Sequence, residues 1–421
     1  MSRVLQISAA ASDRPRAHRI EFFLACMFVY LSPMNVFMVP TFFFTASDGF
    51  ACLCLLAMIS HHSLNLRPLG PGTFLWVIGL VTMVGALFIS SLAAGVPVRG
   101  LILVGQYLFA FLVVPLILLT RSRKETNILL KVFLASILTV VLHGIYVIHF
   151  VGETNTIFVS GSGRLMGLVR RINAGGYLMA FTIPIVFSMM HARLIHPLLA
   201  SISIALLVYG VILTASNTAL SGLVFGVAIY FIMSANFQRI FIAGTLSVLA
   251  IGVLSFTDPH TILPEIFQRR VLAGLESGDI NEAGTFSDRL LLIREALQLA
   301  GDTIWLGVGA DQFRVMSQYN LPVHNTYLLL WTEGGLISLF GFVLMMMGIA
   351  LLIVYAWPIE RARPAAKAAI ATTVVFLIII NSSTHIYGRF VIIPIFISLA
   401  PLAAALREEY RNGGRPTHAR T

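Results

Sequence analysis

The sequence predicts an all-α polytopic membrane protein of about twelve transmembrane helices, with one long exterior loop between the ninth and tenth spans. Three observations carry that expectation. Of the 421 residues, 58% are hydrophobic and only 11% charged, a balance foreign to soluble domains of this size. The apolar residues run in stretches of roughly 20, the length a helix needs to cross the hydrocarbon of a bilayer. The Lys and Arg residues fall in short clusters between those stretches. The formal charge of +10 therefore reads as membrane topology, and nucleic acid is not an expected partner.

Residues 1–19 form a basic leader with Arg3, Arg14, Arg16 and Arg19. The apolar segment that follows has no small-residue cleavage site before Pro33 and Asn35, so it reads as a retained signal anchor. Spans are expected near 20–39, 41–60, 73–94, 101–120, 127–151, 171–190, 197–214, 218–234 and 240–256, and again near 326–357, 367–383 and 389–406. The stretch at 326–357 is long enough to hold a short surface helix before its span. Cys26, Cys52 and Cys54 all lie in apolar stretches, which points away from a disulfide framework or a zinc site.

If the chain starts in the cytoplasm, an even number of crossings returns most basic clusters there: Arg67; Arg121, Arg123, Lys124 and Lys131; Arg193; Arg239; Arg361, Arg363 and Lys367; and Arg407, Arg411, Arg415 and Arg420. Both ends are then inside, with a tail at 407–421. The intervening organisation is spans over 20–256, an exterior loop at 257–324 and the last three spans over 325–406. The loop holds half of the chain's acidic residues, from Asp258 to Asp311. Within it, Thr285 to Asp288 offers a helix start, and Phe286, Leu290, Ile293 and Leu297 give an apolar face at helical spacing. An amphipathic helix lying on the membrane surface is expected.

Three exterior regions carry residues suited to chemistry. The loop from Ser160 to Gly176 places Arg164, Arg170 and Arg171 among glycines at a membrane mouth. A guanidinium fork donates bidentately to phosphate and glycine allows close approach; the plainer role for Arg170 and Arg171 is anchoring to membrane lipid phosphates. In the long loop, Arg289 sits beside the expected helix start and Arg294 five residues later. Either can face the membrane mouth, or Arg289 can pair with Asp288, Glu295 or another acid of the loop. The third region runs from Pro322 through His324, Asn325, Tyr327, Trp331 and Glu333 to Gly335 and leads into an apolar span. A neutral histidine there can take a proton from a hydroxyl, or simply anchor the interface. Glu333 at such depth is expected to cap, pair or orient another group.

Taken in order along the chain, these pieces resemble the O-antigen ligase and O-antigen (exopolysaccharide) polymerase family of bacterial envelope glycosyltransferases. The resemblance covers residues 160–345. It rests on Gly163-Arg164 through Gly167 and Asn173; Leu213-Thr214-Ala215-Ser216; Ser287-Asp288-Arg289; Gly307-Val308-Gly309 with Phe313; and His324-Asn325 through Glu333-Gly334-Gly335. It implies a metal-independent inner-membrane transferase without cofactors, working on the periplasmic face. The donor is an undecaprenyl pyrophosphate-linked glycan and the acceptor a hydroxyl of lipid A core or of another lipid-linked glycan. By the same resemblance, His324 is the base that activates the acceptor and Arg289 a ligand of the donor pyrophosphate. Arg164, Arg170, Arg171, Asn217, Arg294 and Glu333 complete the expected substrate site.

One departure stands out. The family often carries an arginine after its Thr-x-Ser, where this chain has Asn217, so Arg164, Arg170 or Arg171 would have to supply the charge. The competing class is a polytopic transporter or flippase of lipid-linked sugar. Against it, the spans read as poor in charge, with Asp48 the main buried acid.

Overall fold

The computed structural model is almost entirely helical and describes residues 15–39, 44–234, 264–272, 286–384 and 386–413. Eight helices are long and apolar enough to cross a membrane. In chain order the main helices are α1 (Pro15–Leu31), α2 (Ala46–Ser60), α3 (Gly70–Ala93), α4 (Pro97–Leu118), α5 (Arg123–Val151), α6 (Ile172–His191), α7 (Pro197–Thr214), α8 (Asn217–Met233), α9 (Phe286–Asp302), α10 (Thr326–Ala356), α11 (Glu360–Ser382) and α12 (Arg389–Arg411). The expected span at 240–256 lies outside the described residues, as do most of the leader and the end of the tail.

The eight long helices and the shorter α1, α2 and α8 follow the expected spans, in keeping with an all-α polytopic membrane protein. Helix α1 has 17 residues, α2 has 15 and α8 has 17, at the short end of what a span needs. Pro33 and Asn35 end the first apolar segment early, in a turn and a two-residue hairpin that pairs Met38 with Thr45. A capping box then starts α2: Thr45 Oγ1 accepts from the Asp48 amide, and the Asp48 carboxylate accepts from the Thr45 amide at 2.9 Å.

The chain divides into two compact units. The first is drawn from Met1–Ser136, Leu291–Ala366 and Ile380–Thr421. Its spine is the close approach of α3 and α10, where Gly72 and Gly79 face Gly348 and Gly341. A Cβ on Gly72 would stand 2.0 Å from the Gly348 carbonyl oxygen, and one on Gly79 would stand 2.5 Å from that of Gly341. Small residues let backbones touch where lipid offers no hydrophobic drive between helices.

Burial of acids in this unit is wider than the sequence indicated. Asp48, Glu21 and Glu333 are each 3% exposed or less, so Asp48 is not alone. Each has partners, as a charge in apolar surroundings requires. Arg389 donates from Nε to Asp48 at 2.6 Å and also reaches Gln106. Glu21 accepts from His61 and Ser63 and lies 3.6 Å from Arg121.

The second unit is Ile137–Leu290 with Lys367–Ile379. Here α6 packs against α7 and α8. A Cβ on Gly176 of α6 would meet Ala219 at 2.5 Å and the Thr214 hydroxyl at 2.9 Å, so the turn between α7 and α8 is pressed onto the start of α6.

Candidate functional site

In the second unit the Arg164 loop is folded by its own short residues. Gly163, at φ +80°, turns the chain so that its amide reaches the Ser160 carbonyl at 2.9 Å, while Ser160 Oγ accepts from the Arg164 amide at 3.0 Å. The Leu165 amide then bonds to the Leu213 carbonyl at 3.0 Å, which fixes the loop to the end of α7. Arg164 reaches across the α7–α8 turn: Nε donates to the Thr214 carbonyl at 2.8 Å, and Nη2 to the Ala215 carbonyl at 3.1 Å and to Asn173 Oδ1 at 3.3 Å. Ser216 caps α8 and also donates to Asn173 Oδ1 at 3.0 Å. Ala215 is held left-handed at φ 44°, a conformation costing an L-residue roughly 1–2 kcal/mol. The Gly163-Arg164, Asn173 and Thr214-Ala215-Ser216 pieces thus form one knot.

A second and a third arginine crowd this knot. The Arg164 guanidinium is pushed down to about 10, chiefly by burial, next by Arg270 and further by Arg289, with Tyr177 opposing. It still carries its proton at neutral pH. Arg289 Nε and Arg270 Nε are both buried without a hydrogen-bond partner. Arg289 makes no salt bridge to Asp288 or Glu295, and the loop acids Glu276, Asp279 and Glu282 lie outside the described residues. Glu295 instead accepts from Ser317 Oγ at 2.7 Å and from the Gln318 amide at 2.9 Å. Arg170, left-handed at φ 56°, and Arg171, which precedes α6, are both exposed. Asn217 is the first residue of α8 and half-buried.

Arg270 was not singled out from the sequence. It follows Arg269 in the short helical run of Glu265–Phe267 and Gln268–Leu272, and the two look alike on paper. Arg269 is exposed and paired with Glu265, one helical turn earlier. Phe267 and Val271 of the same run pack on Ala215, with Ile212 and Leu220 beside them. The spacing of Phe267 and Val271 was the available signal for which face of the run turns inward.

In the first unit the other motif pieces converge. Helix α10 is broken at Gly335, whose φ of 72° and ψ of 178° belong to glycine. The break splits off a short leading helix, as its length suggested, and exposes backbone groups that the 304–309 segment satisfies. The Val308 amide bonds to the Thr332 carbonyl at 2.8 Å, Gly309 to Glu333 at 3.0 Å, and Leu336 to Ile304 at 2.8 Å. A Cβ on Gly335 would lie 1.9 Å from the Trp305 carbonyl oxygen, and one on Gly307 at 2.6 Å from that of Thr332. The paired glycine motifs are therefore two sides of one backbone contact.

The Glu333 carboxyl, 3% exposed, accepts backbone hydrogen bonds from Asp311 and Phe313, so its part is to hold the 311–313 turn. Burial alone would raise the Asp311 carboxyl. Arg314 and Arg99 outweigh it and hold the group below the usual carboxylate range, with Arg99 Nε at 2.7 Å and Arg314 Nη2 at 2.8 Å. Phe313, Leu292, Ala296, Val323 and Leu329 form the cluster beneath. His324, half-buried, stands between Val323 of that cluster and Asn325, whose Oδ1 caps α10 by accepting from the Leu328 amide at 3.1 Å. Thr326 Oγ1 donates to the Ser383 carbonyl at 3.0 Å. The histidine is thus gripped on both sides by fixed backbone.

The expected helix of the long loop is present as α9. Leu292, Ala296 and Ala300 are covered, whereas Leu290 is 50% and Leu297 46% exposed. Ala296 and Leu292 pack with Phe313 and Val323, with Ile293 and Leu299 against them. Arg294 is exposed on this helix.

Residues 202–343 match a family model described as O-antigen ligase. The match supports the O-antigen ligase family. It takes in the α7–α8 turn, Asn217, Arg289, Arg294, His324 and Glu333, while the Arg164 loop precedes it. No curated protein matches the chain. The O-antigen ligase family carries with it glycosyl transfer, lipid-linked glycan substrates and a membrane setting, in accord with a multi-pass helical chain.

Proposed function

We propose that the chain transfers a glycan from an undecaprenyl pyrophosphate-linked donor to an acceptor hydroxyl, without a metal, at the periplasmic face of the bacterial inner membrane. Both termini are then cytoplasmic. The observation that carries this reading is the set of crowded guanidiniums around the α7–α8 turn, two of which have a buried Nε that no acceptor satisfies. Such a cluster is costly by itself and is relieved by a polyanion.

In this reading Arg289 and Arg164 hold the donor pyrophosphate, and Asn217 lines the same pocket. Arg170, Arg171 and Arg294 lie exposed, suited to the outer glycan or to lipid phosphates. His324 takes the proton of the acceptor hydroxyl as its oxygen bonds to the anomeric carbon. The bond from that carbon to the pyrophosphate oxygen breaks, and the leaving undecaprenyl pyrophosphate keeps the electron pair. Charge building on the leaving group is what the arginines would stabilise. Glu333 serves the site through the turn it fixes.

The test is transfer by the full chain in proteoliposomes, with lipid A core and a second lipid-linked glycan offered separately as acceptors. The expected result is a new glycosidic product and free undecaprenyl pyrophosphate, both dependent on acceptor. The acceptor that works separates ligase from polymerase. Movement of labelled donor across the bilayer with no product in either case would replace this reading by a flippase.

A further inference from the structure

Resting on the donor reading above, we propose that Arg270 is a further substrate-binding residue, which makes the anion site a three-arginine cradle fitted to a diphosphate and not to a single phosphate. The placement comes from packing. Phe267 and Val271 seat the short run on Ala215, Ile212 and Leu220. Arg164 is tied to the carbonyls of Thr214 and Ala215 at that same turn. Residue 270 lies between the two seated side chains, and its Nε is buried with no acceptor. Its neighbour Arg269 turns outward to Glu265.

The charge balance points to the ligand. Arg164 spends its donors on backbone carbonyls and Asn173, which do not neutralise it. Arg270 and Arg289 each disfavour its charged form, Arg270 more strongly. Among the described residues none of the three is in an ion pair with a carboxylate, whereas Arg99, Arg121, Arg314 and Arg389 all are. A monophosphate ester carries at most two negative charges and can face two guanidinium forks. The diphosphate of the glycan-linked donor also carries two charges, but it spreads them with more acceptor oxygens over a longer span, and so matches three.

The experiment measures binding of undecaprenyl pyrophosphate, undecaprenyl phosphate and undecaprenol to the full chain in nanodiscs. The unsubstituted protein should prefer the diphosphate. Arg270→Ala should weaken diphosphate binding about tenfold or more, the scale of a lost charge-assisted hydrogen bond, and erase the preference over the monophosphate. Undecaprenol should bind both proteins alike. Arg270→Lys, which keeps charge and bulk but not the fork, should retain only part of the preference, and thermal unfolding should show that both variants fold. An unchanged preference in a folded Arg270→Ala, or an equal loss for undecaprenol, overturns the assignment. If the unsubstituted chain fails to distinguish the three lipids, the donor reading itself falls.

Discussion

The arginine knot of the second unit and the carboxylate turn of the first handle charge in opposite ways. Around Asp311, cation and anion are matched: Arg99 and Arg314 share one buried carboxylate, and the Glu333 carboxyl is met by backbone amides. Nothing there calls for a ligand, and the result is a rigid support beside His324. Around Arg164, three cations gather with carbonyl and amide oxygens but no paired carboxylate among the described residues. A self-neutralised network holds shape. A network left with excess charge is suited to take up an anion.

If the matched region is support for a base, the largest effect should come from the base itself. His324→Ala is expected to lower turnover by roughly 10²–10⁴ while donor binding and thermal stability stay near those of the unsubstituted protein. His324→Gln should not rescue it, and the rate of the unsubstituted enzyme should fall toward acid pH. Rescue by Gln, or a drop in stability in place of turnover, would make His324 an interfacial anchor.

In the unmatched region the expected loss falls on binding. Arg289→Lys keeps the charge but loses the planar fork, and donor affinity should drop about tenfold; equal affinity in a direct binding measurement would remove Arg289 from the donor site. Smaller again is the effect of Arg314→Ala, since Arg314 is about half exposed and such pairs contribute about 0.2–1 kcal/mol. The sign of its pH dependence is the sharper readout. Asp311 is depressed in the folded state, so its contribution is present above the ordinary carboxylate pKa of about 4 and is lost as pH falls through the lower folded value. Arg314→Ala should therefore narrow the stability difference between neutral pH and pH about 3, as read by thermal melts. The smallest effect belongs to Arg269→Ala, which removes only an exposed pair with Glu265. Donor affinity should be unchanged, and a loss as large as that of Arg270→Ala would mean that the run faces the turn with its other side.

Much of the scaffold was legible from hydropathy and local chemistry. Apolar runs of sufficient length located the long helices, the stretch at 326–357 was long enough to hold a short helix before its span, and Thr285 to Asp288 marked the start of α9. These are local properties, because a helix satisfies its own backbone. The association of distant motifs was legible only as a resemblance in their order.

What the tertiary structure decided was facing and pairing. Hydropathy marked Phe286, Leu290, Ile293 and Leu297 as one apolar face of α9 for the membrane surface, without saying which residues of the helix pack inside the protein. Contact buries Leu292, Ala296 and Ala300 and leaves Leu290 and Leu297 exposed. The same limit hid the buried acid Glu21 and the partners of Glu333, which lie far away in sequence. It also hid Arg270, since two adjacent arginines carry one chemistry and differ only in which direction the fold turns them. Sequence alone determined where this chain can be helical and which groups it has to offer. Which of those groups are left without a partner depends on long-range packing, and that is where the candidate chemistry lies.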